Sequence, residues 1–328
     1  MSLLALYADK FRALKVNVQN DRASPHKICM VLALLDLARS GALETNRIEF
    51  GPALLERYGR FFEAAKSPGD HANPYFPFFH LAGRLRGGGE SFWHLKPLPG
   101  RDVALQAMAT ARSFRNITEN IEYAELDSDL FELLQDPANV EALSDAISRH
   151  WFDRGLEDLR AVVGESSRIS EYEHVLRFGL PWQTNESPPP AYVRDPAFRR
   201  VVTQIYDYRC AASGVRIVLP TGEAMVQAAH IHPFSESGDD DPRNGLALTP
   251  DMHWAMDANL IAPGPDYRWH VSTAIDDRIP DFRALVQLRG KELFLPRERR
   301  CYPKREVLEW RRDHLRKPVR PMGDAPSS

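Results

Sequence analysis

Within the span 230–257 the chain carries His230, Asn244, His253 and Asp257, separated by 14, 9 and 4 residues. The last interval restricts the fold most. An imidazole and a carboxylate at i and i+4 share a face only on a helix, so the spacing predicts a helix over residues 250–259 whose one face can hold a single cation. Between the first His and the Asn, residues 238–242 (GDDDP) predict a turn that joins a strand to that helix. Asp239, Asp240 and Asp241 are read as a solvated part of that turn rather than as ligands.

The rest of the chain must be organised around this short unit. At 328 residues it is about twice the usual domain size, so two folded units are expected. The break is placed at residues 182–190 (WQTNESPPP), which lack periodicity and end in three prolines that stiffen a spacer. Hydrophobic residues at 43% exclude a disordered chain. No stretch approaches the roughly 18 unbroken apolar residues of a membrane span, and the start lacks a signal-peptide pattern, so a cytoplasmic protein with no membrane partner is expected. Cys29, Cys210 and Cys301 are far apart and form no CxxC pair, which argues against a disulfide framework and against structural zinc.

Net charge is −3, but its distribution is uneven. Residues 1–118 hold 16 basic and 10 acidic side chains, residues 119–190 hold 5 and 16, and residues 282–320 hold 13 and 5. Two basic regions separated by an acidic one suit a protein that grips a polyanion at two places.

Residues 26–41 read as a buried helix, residues 52–65 as an amphipathic one, and residues 67–99 as short strands and loops with a hairpin turn at Gly87–Gly89. Residues 127–163 return to helical spacing, with Leu130, Leu143, Ile147 and Trp151 on one face and acidic residues on the other. A helix starting at Asp195-Pro196 and reaching about Tyr208 is expected, then a hairpin-like stretch over 210–228 that turns at Pro220-Thr221-Gly222.

Phosphodiester hydrolysis needs an activated water, neutralised charge and a stabilised leaving oxygen. His230 can take the water proton if its other ring nitrogen is held by an acceptor. Asn244 can provide the fixing contact with its side chain or by pinning the loop, and His253 with Asp257 can hold a divalent ion. The segment AHI-x-P-x-S-x-x-G … NGL-x-L-x-x-x-x-H-x-x-x-D, running from Ala229 to Asp257, resembles the HNH nuclease motif of the ββα-metal fold. The resemblance implies that His230 is the general base, Asn244 an orienting residue, His253 a metal ligand and Asp257 a second ligand, with Mg²⁺ or Mn²⁺ as the ion. Ala229 stands where many such motifs carry a further ligand, so fewer side chains would hold the ion. Cys210 is followed by Ser213, so the zinc knuckle of many relatives is not expected.

The N-terminal half more distantly resembles the sulfur-binding domain of McrA-like type IV restriction enzymes, on His26-Lys27 opening an apolar helix, Phe76-Pro77-Phe78 and the Trp of SFWHL. A reader of phosphorothioate DNA needs apolar contacts for the sulfur beside cations for the phosphate. Phe76 and Pro77 are assigned to the first task, and His26, Lys27, Arg84 and Arg86 to the second.

The expected fold class is thus α+β with two domains: a mainly helical reader with a small strand and loop region at 1–118, and a ββα-metal domain at 191–320. Between them stand an acidic helical connector at 119–181 and the linker at 182–190; a disordered tail follows at 321–328. The function implied is a modification-dependent endonuclease acting on double-stranded DNA, with a homodimer or two successive encounters needed if both strands are to be cut. Two alternatives stay open: a reader of methylated or hydroxymethylated cytosine, and a DNA-binding protein with an inactive HNH domain.

Overall fold

A computed structural model describes residues 2–19, 22–182 and 188–318. Most of the linker at 182–190 and the whole tail at 321–328 lie outside the described residues. The chain divides into two compact units, Met1–Ala197 with Leu219–Glu223, and Phe198–Val218 with Ala224–Ser328.

The first unit is built around the helix His26–Arg39. Its sequence is apolar on all sides, as suits a helix enclosed by others, and every residue from Ile28 to Leu35 is buried. The helices Pro52–Ala65, Pro137–Trp151 and Leu159–Phe178 pack on it, and Leu3–Arg12 packs on Pro137–Trp151. Strands Trp93–Pro97 and Ile121–Leu126 form an antiparallel pair with Trp93 opposite Leu126.

Three expectations change here. Residues 119–181 do not stand apart as a connector: Leu130, Leu143, Ile147, Trp151 and Leu159 lie in the same core as Ile28 and Phe62, and the indole N–H of Trp151 donates to the Phe11 carbonyl. An acidic outer face says nothing against an apolar inner one, and that inner face finds its partner in the helices before residue 119. The glycines at 87–89 do not close a hairpin but belong to a 3₁₀ turn, Arg86–Gly88, because Trp93–Pro97 pairs with a strand more than twenty residues later. The Phe-Pro-Phe stretch is a short helix, Tyr75–His80.

Charge is also buried. Arg57 lies between Asp36, at 3.1 Å, and Glu173, at 2.6 Å, and all three side chains are almost wholly enclosed. Part of the acidic excess of the middle segment is therefore spent inside the core.

The division between units falls in the helix Ala191–Ile205, which starts before Asp195 and carries Pro196 inside it. The hairpin over 210–228 forms as expected: Val218 is bridged to Ala224, and Leu219 N–H donates to the Glu223 carbonyl. In the second unit strands Gln227–His230 and Gly245–Leu248 pair antiparallel, with His230 opposite Gly245, and the helix Pro250–Asp257 packs on both. GDDDP leads through a 3₁₀ turn, Pro242–Asn244, into the second strand and not directly into the helix. Gly245 permits a close approach: a Cβ there would lie 2.6 Å from Val202 and 2.8 Å from Phe198. A second strand pair, Ile261–Pro263 with Trp269–Val271, and the helix Arg305–Asp313 complete the unit. Cys210 is buried, and its sulfur accepts N–H groups from Ser213 and Thr249. Among the described residues no helix is long and apolar enough to cross a membrane.

Candidate functional sites

In the first unit a pocket of about 160 Å³ is lined by Lys15, Val16, Asn17, Ser24, His26, Lys27, Phe76 and His80. Three of the six expected reader residues, His26, Lys27 and Phe76, are thus brought together. Pro77 is buried within its helix and does not line the pocket, nor do Arg84 and Arg86. Phe76 is 41% exposed and packs against the His80 ring at 4.2 Å. Burial, followed by the neighbouring Lys15, pulls the Lys27 ammonium below its ordinary range. His80 is likewise lowered, by burial first and Lys27 second. Two cations that repel each other in a partly desolvated hollow form a site that an anion would stabilise.

His26 is fixed at both ring nitrogens: its Nε2 donates to the His71 carbonyl at 3.1 Å, and its Nδ1 lies 3.0 Å from the Ser24 hydroxyl.

In the second unit His230 ends its strand. The ring lies flat on Phe198, with centroids 3.9 Å apart and planes 1° from parallel, and its Nε2 is 2.9 Å from Asp240 Oδ1. A carboxylate accepts, so Nε2 carries the proton and Nδ1, for which no partner is found among the described residues, is the basic nitrogen. Asp240 is only 5% exposed.

Asn244 takes the loop-pinning alternative. Its Nδ2 donates to the carbonyls of His232 and Asp239, both at 2.9 Å, and its Oδ1 accepts the His232 N–H, also at 2.9 Å. It closes the loop that places Asp240 against His230, and the side chain is fully buried.

His253 and Asp257 do share a face, with Nε2 3.4 Å from Oδ2. Gln227 Oε1 lies 3.0 Å from His253 Nδ1 and accepts a hydrogen bond from it, which leaves the Nε2 lone pair turned toward a carboxylate. Two electron-pair donors bound to one divalent ion at about 2.1 Å stand roughly 3.0–3.4 Å apart, so the pair fits such an ion. Among the described residues no group of three or more His, Cys, Asp or Glu is arranged to hold a metal, so water or phosphate oxygens would complete the shell.

Arg311 ties the two halves of this site. Its guanidinium donates to the carbonyls of His230 at 3.3 Å, Ile231 at 2.5 Å and Met256 at 3.4 Å, so the end of the His230 strand and the turn before Asp257 meet on one buried cation.

Residues 210–262 match the family model for HNH endonucleases. The second unit carries an HNH endonuclease domain. No curated protein matches the chain. Among solved structures, a "Modification dependent TagI restriction endonuclease" is similar at 23% identity over 39% of this chain, with a TM-score of 0.29. The chain spans 40% of the length of that enzyme.

The residues around the HNH motif that sequence reading missed are Asp240, Phe198, Gln227 and Arg311. Nothing in three consecutive aspartates distinguishes the middle one. Arg311 did leave a signal, since it falls three and four residues after the buried Leu308 and Val307 and so continues the inward face of its helix.

The neighbouring aspartate is linked to acid stability. Burial pushes Asp241 up, but Arg243, which donates to both carboxylate oxygens, and Lys304, at 3.1 Å, outweigh it and hold the group at about 2. A folded value below the unfolded one contributes stability that is present above about pH 4 and lost as pH falls toward 2. With Asp241 one-quarter exposed, Asp241→Asn is expected to cost about 1–2 kcal/mol at pH 6. In urea titrations the gap to the parent should close toward pH 2; a gap independent of pH would refute the linkage.

Proposed function

We propose that the chain is a modification-dependent DNA endonuclease of the type IV restriction kind, which reads phosphorothioate DNA through the first-unit pocket and hydrolyses phosphodiester bonds in its HNH domain. The observation that carries the nuclease reading is the bridge made by Arg311, which joins the carbonyl of His230 to the helix end bearing Asp257. In this reading a basic imidazole nitrogen and a cation-binding pair act in one site.

In this reading His230 Nδ1 takes the proton of the attacking water. Asp240 holds the tautomer, Phe198 fixes the ring plane, and Asn244 keeps the loop closed. His253 Nε2 and Asp257 would hold a divalent ion, Mg²⁺ or Mn²⁺, which when bound supplies charge neutralisation at the phosphate and the leaving oxygen. The sulfur specificity is supported by the pairing of Lys15 and Lys27 with the exposed face of Phe76, since a phosphorothioate has one poorly hydrated atom beside its charge.

The test is cleavage by the full chain, with Mg²⁺ or Mn²⁺, of matched duplexes carrying phosphorothioate, modified cytosine or neither. Phosphorothioate DNA should be cut at least tenfold faster than plain DNA, and Lys27→Gln should erase most of that ratio. A preference for modified cytosine would replace the sulfur reading and keep the nuclease. One further reading has support of its own: Ala229 is buried against the core, which leaves two protein donors for the ion and suits a domain that binds DNA without cutting. Binding without cleavage of any duplex would establish it. Cleavage of both strands would require a homodimer or two successive encounters with the duplex.

A further inference from the structure

Beside the pocket the first unit holds a second group of cations, Arg86, Arg154 and Arg12, of which the reader resemblance includes only Arg86. Arg86 and Arg154 both lie over the ring of Trp151, at 5.8 and 5.6 Å from its centroid. Arg154 also donates to the His150 carbonyl, and Arg86 to the Val16 carbonyl at 3.3 Å, while its backbone N–H donates to Ala13. Arg12 ends the helix Leu3–Arg12 and, among the described residues, pairs with the exposed Asp9. His150 is held below its ordinary value by burial and then by Arg154, Arg12 and Arg86, which places these four groups in one electrostatic neighbourhood. Among the described residues neither Arg86 nor Arg154 forms an ion pair with a carboxylate.

The segment that Arg86 grips is the one that forms the pocket wall, since Lys15, Val16 and Asn17 line it. The cations of the pocket and those around Trp151 are therefore joined through residues 13–17, and among the described residues no carboxylate pairs with either arginine. Like charges gathered without counter-charge lower stability unless an external anion occupies them. A single small anion would fill the pocket alone. A strip that runs on from it matches successive phosphates of a strand.

We infer that Arg86, Arg154 and Arg12 form a backbone-tracking strip that holds double-stranded DNA while one of its linkages sits in the pocket. The inference rests on the nuclease reading and adds to it the route of the DNA across the first unit. Its contacts are to phosphates, so it supplies affinity without preference for any modification.

The test is fluorescence anisotropy of the full chain with plain and phosphorothioate duplexes across 50–200 mM KCl. Removing two phosphate contacts in R86Q/R154Q should reduce the slope of log affinity against log salt by about 2, so that the parent loses roughly tenfold more affinity than the variant over that range. Plain and modified duplexes should weaken equally, leaving their ratio intact. R86K/R154K should restore the parental slope, and both variants should keep the parental thermal midpoint within a few degrees, which separates lost contacts from lost folding. An unchanged slope in R86Q/R154Q would overturn the strip alone, as would failure of the lysine pair to restore it. A parent that binds no duplex would overturn the nuclease reading and the strip together.

Discussion

Replacing His230 with alanine is expected to lower duplex cleavage by 10²–10⁴-fold while DNA binding stays within a few-fold of the parent. The range is that of a positioned base removed from a hydrolytic step. Among the described residues the imidazole stacks on Phe198, bonds to Asp240 and lies 6.1 Å from the Phe234 ring, all at the end of its strand, so the loss should be in turnover more than in stability. Asp240→Asn separates holding the ring from being the base. An amide oxygen can still accept from Nε2 but lacks the charge and competes by flipping its amine, so a smaller loss, ten- to a hundredfold in kcat with KM unchanged, is expected. Single-turnover cleavage of a labelled duplex measures both. If His230→Ala cuts at the parental rate, the assignment of the base is wrong.

Truncating Arg57 should have the largest effect on stability. Asp36 and Glu173 both face it in a volume closed to water, with Arg177 3.8 Å from Glu173 as the nearest substitute. Arg57→Met leaves two buried carboxylates with most of their compensation gone, and removing one partner of such a network costs about 3–5 kcal/mol. The triple change Asp36→Leu, Arg57→Met, Glu173→Leu should recover much of that loss, because the penalty lies in the uncompensated charges and not in the missing attraction. Urea unfolding of the full chain, followed by tryptophan fluorescence, compares the three proteins. A triple variant no more stable than Arg57→Met would contradict this account.

Elements whose signal lies within one turn of helix or one strand pair were readable from the chain. The helices at 26–39 and 52–65 follow from apolar periodicity, and the His253–Asp257 pair follows from a four-residue interval that only a helix can use. The first-unit pocket was partly readable: Lys27 and Phe76 meet there, but Lys15, Asn17 and His80 join them from segments whose sequence carries no mark of it. The acidic stretch was misjudged because charge on the solvent side of a helix is visible in composition, whereas the face it buries against distant helices is not.

The types and spacing of His230, Asn244, His253 and Asp257 are what the sequence by itself supplied, and the resemblance to the HNH motif rests on them, since residue types and intervals are local properties that covalent geometry preserves. Only the tertiary structure decided what holds those residues in place. Asp240 against His230, Gln227 behind His253 and Arg311 between the strand and the helix are contacts across 10, 26 and more than 50 residues. They arise when packing closes long loops, and no interval along the chain records which partner a loop will deliver.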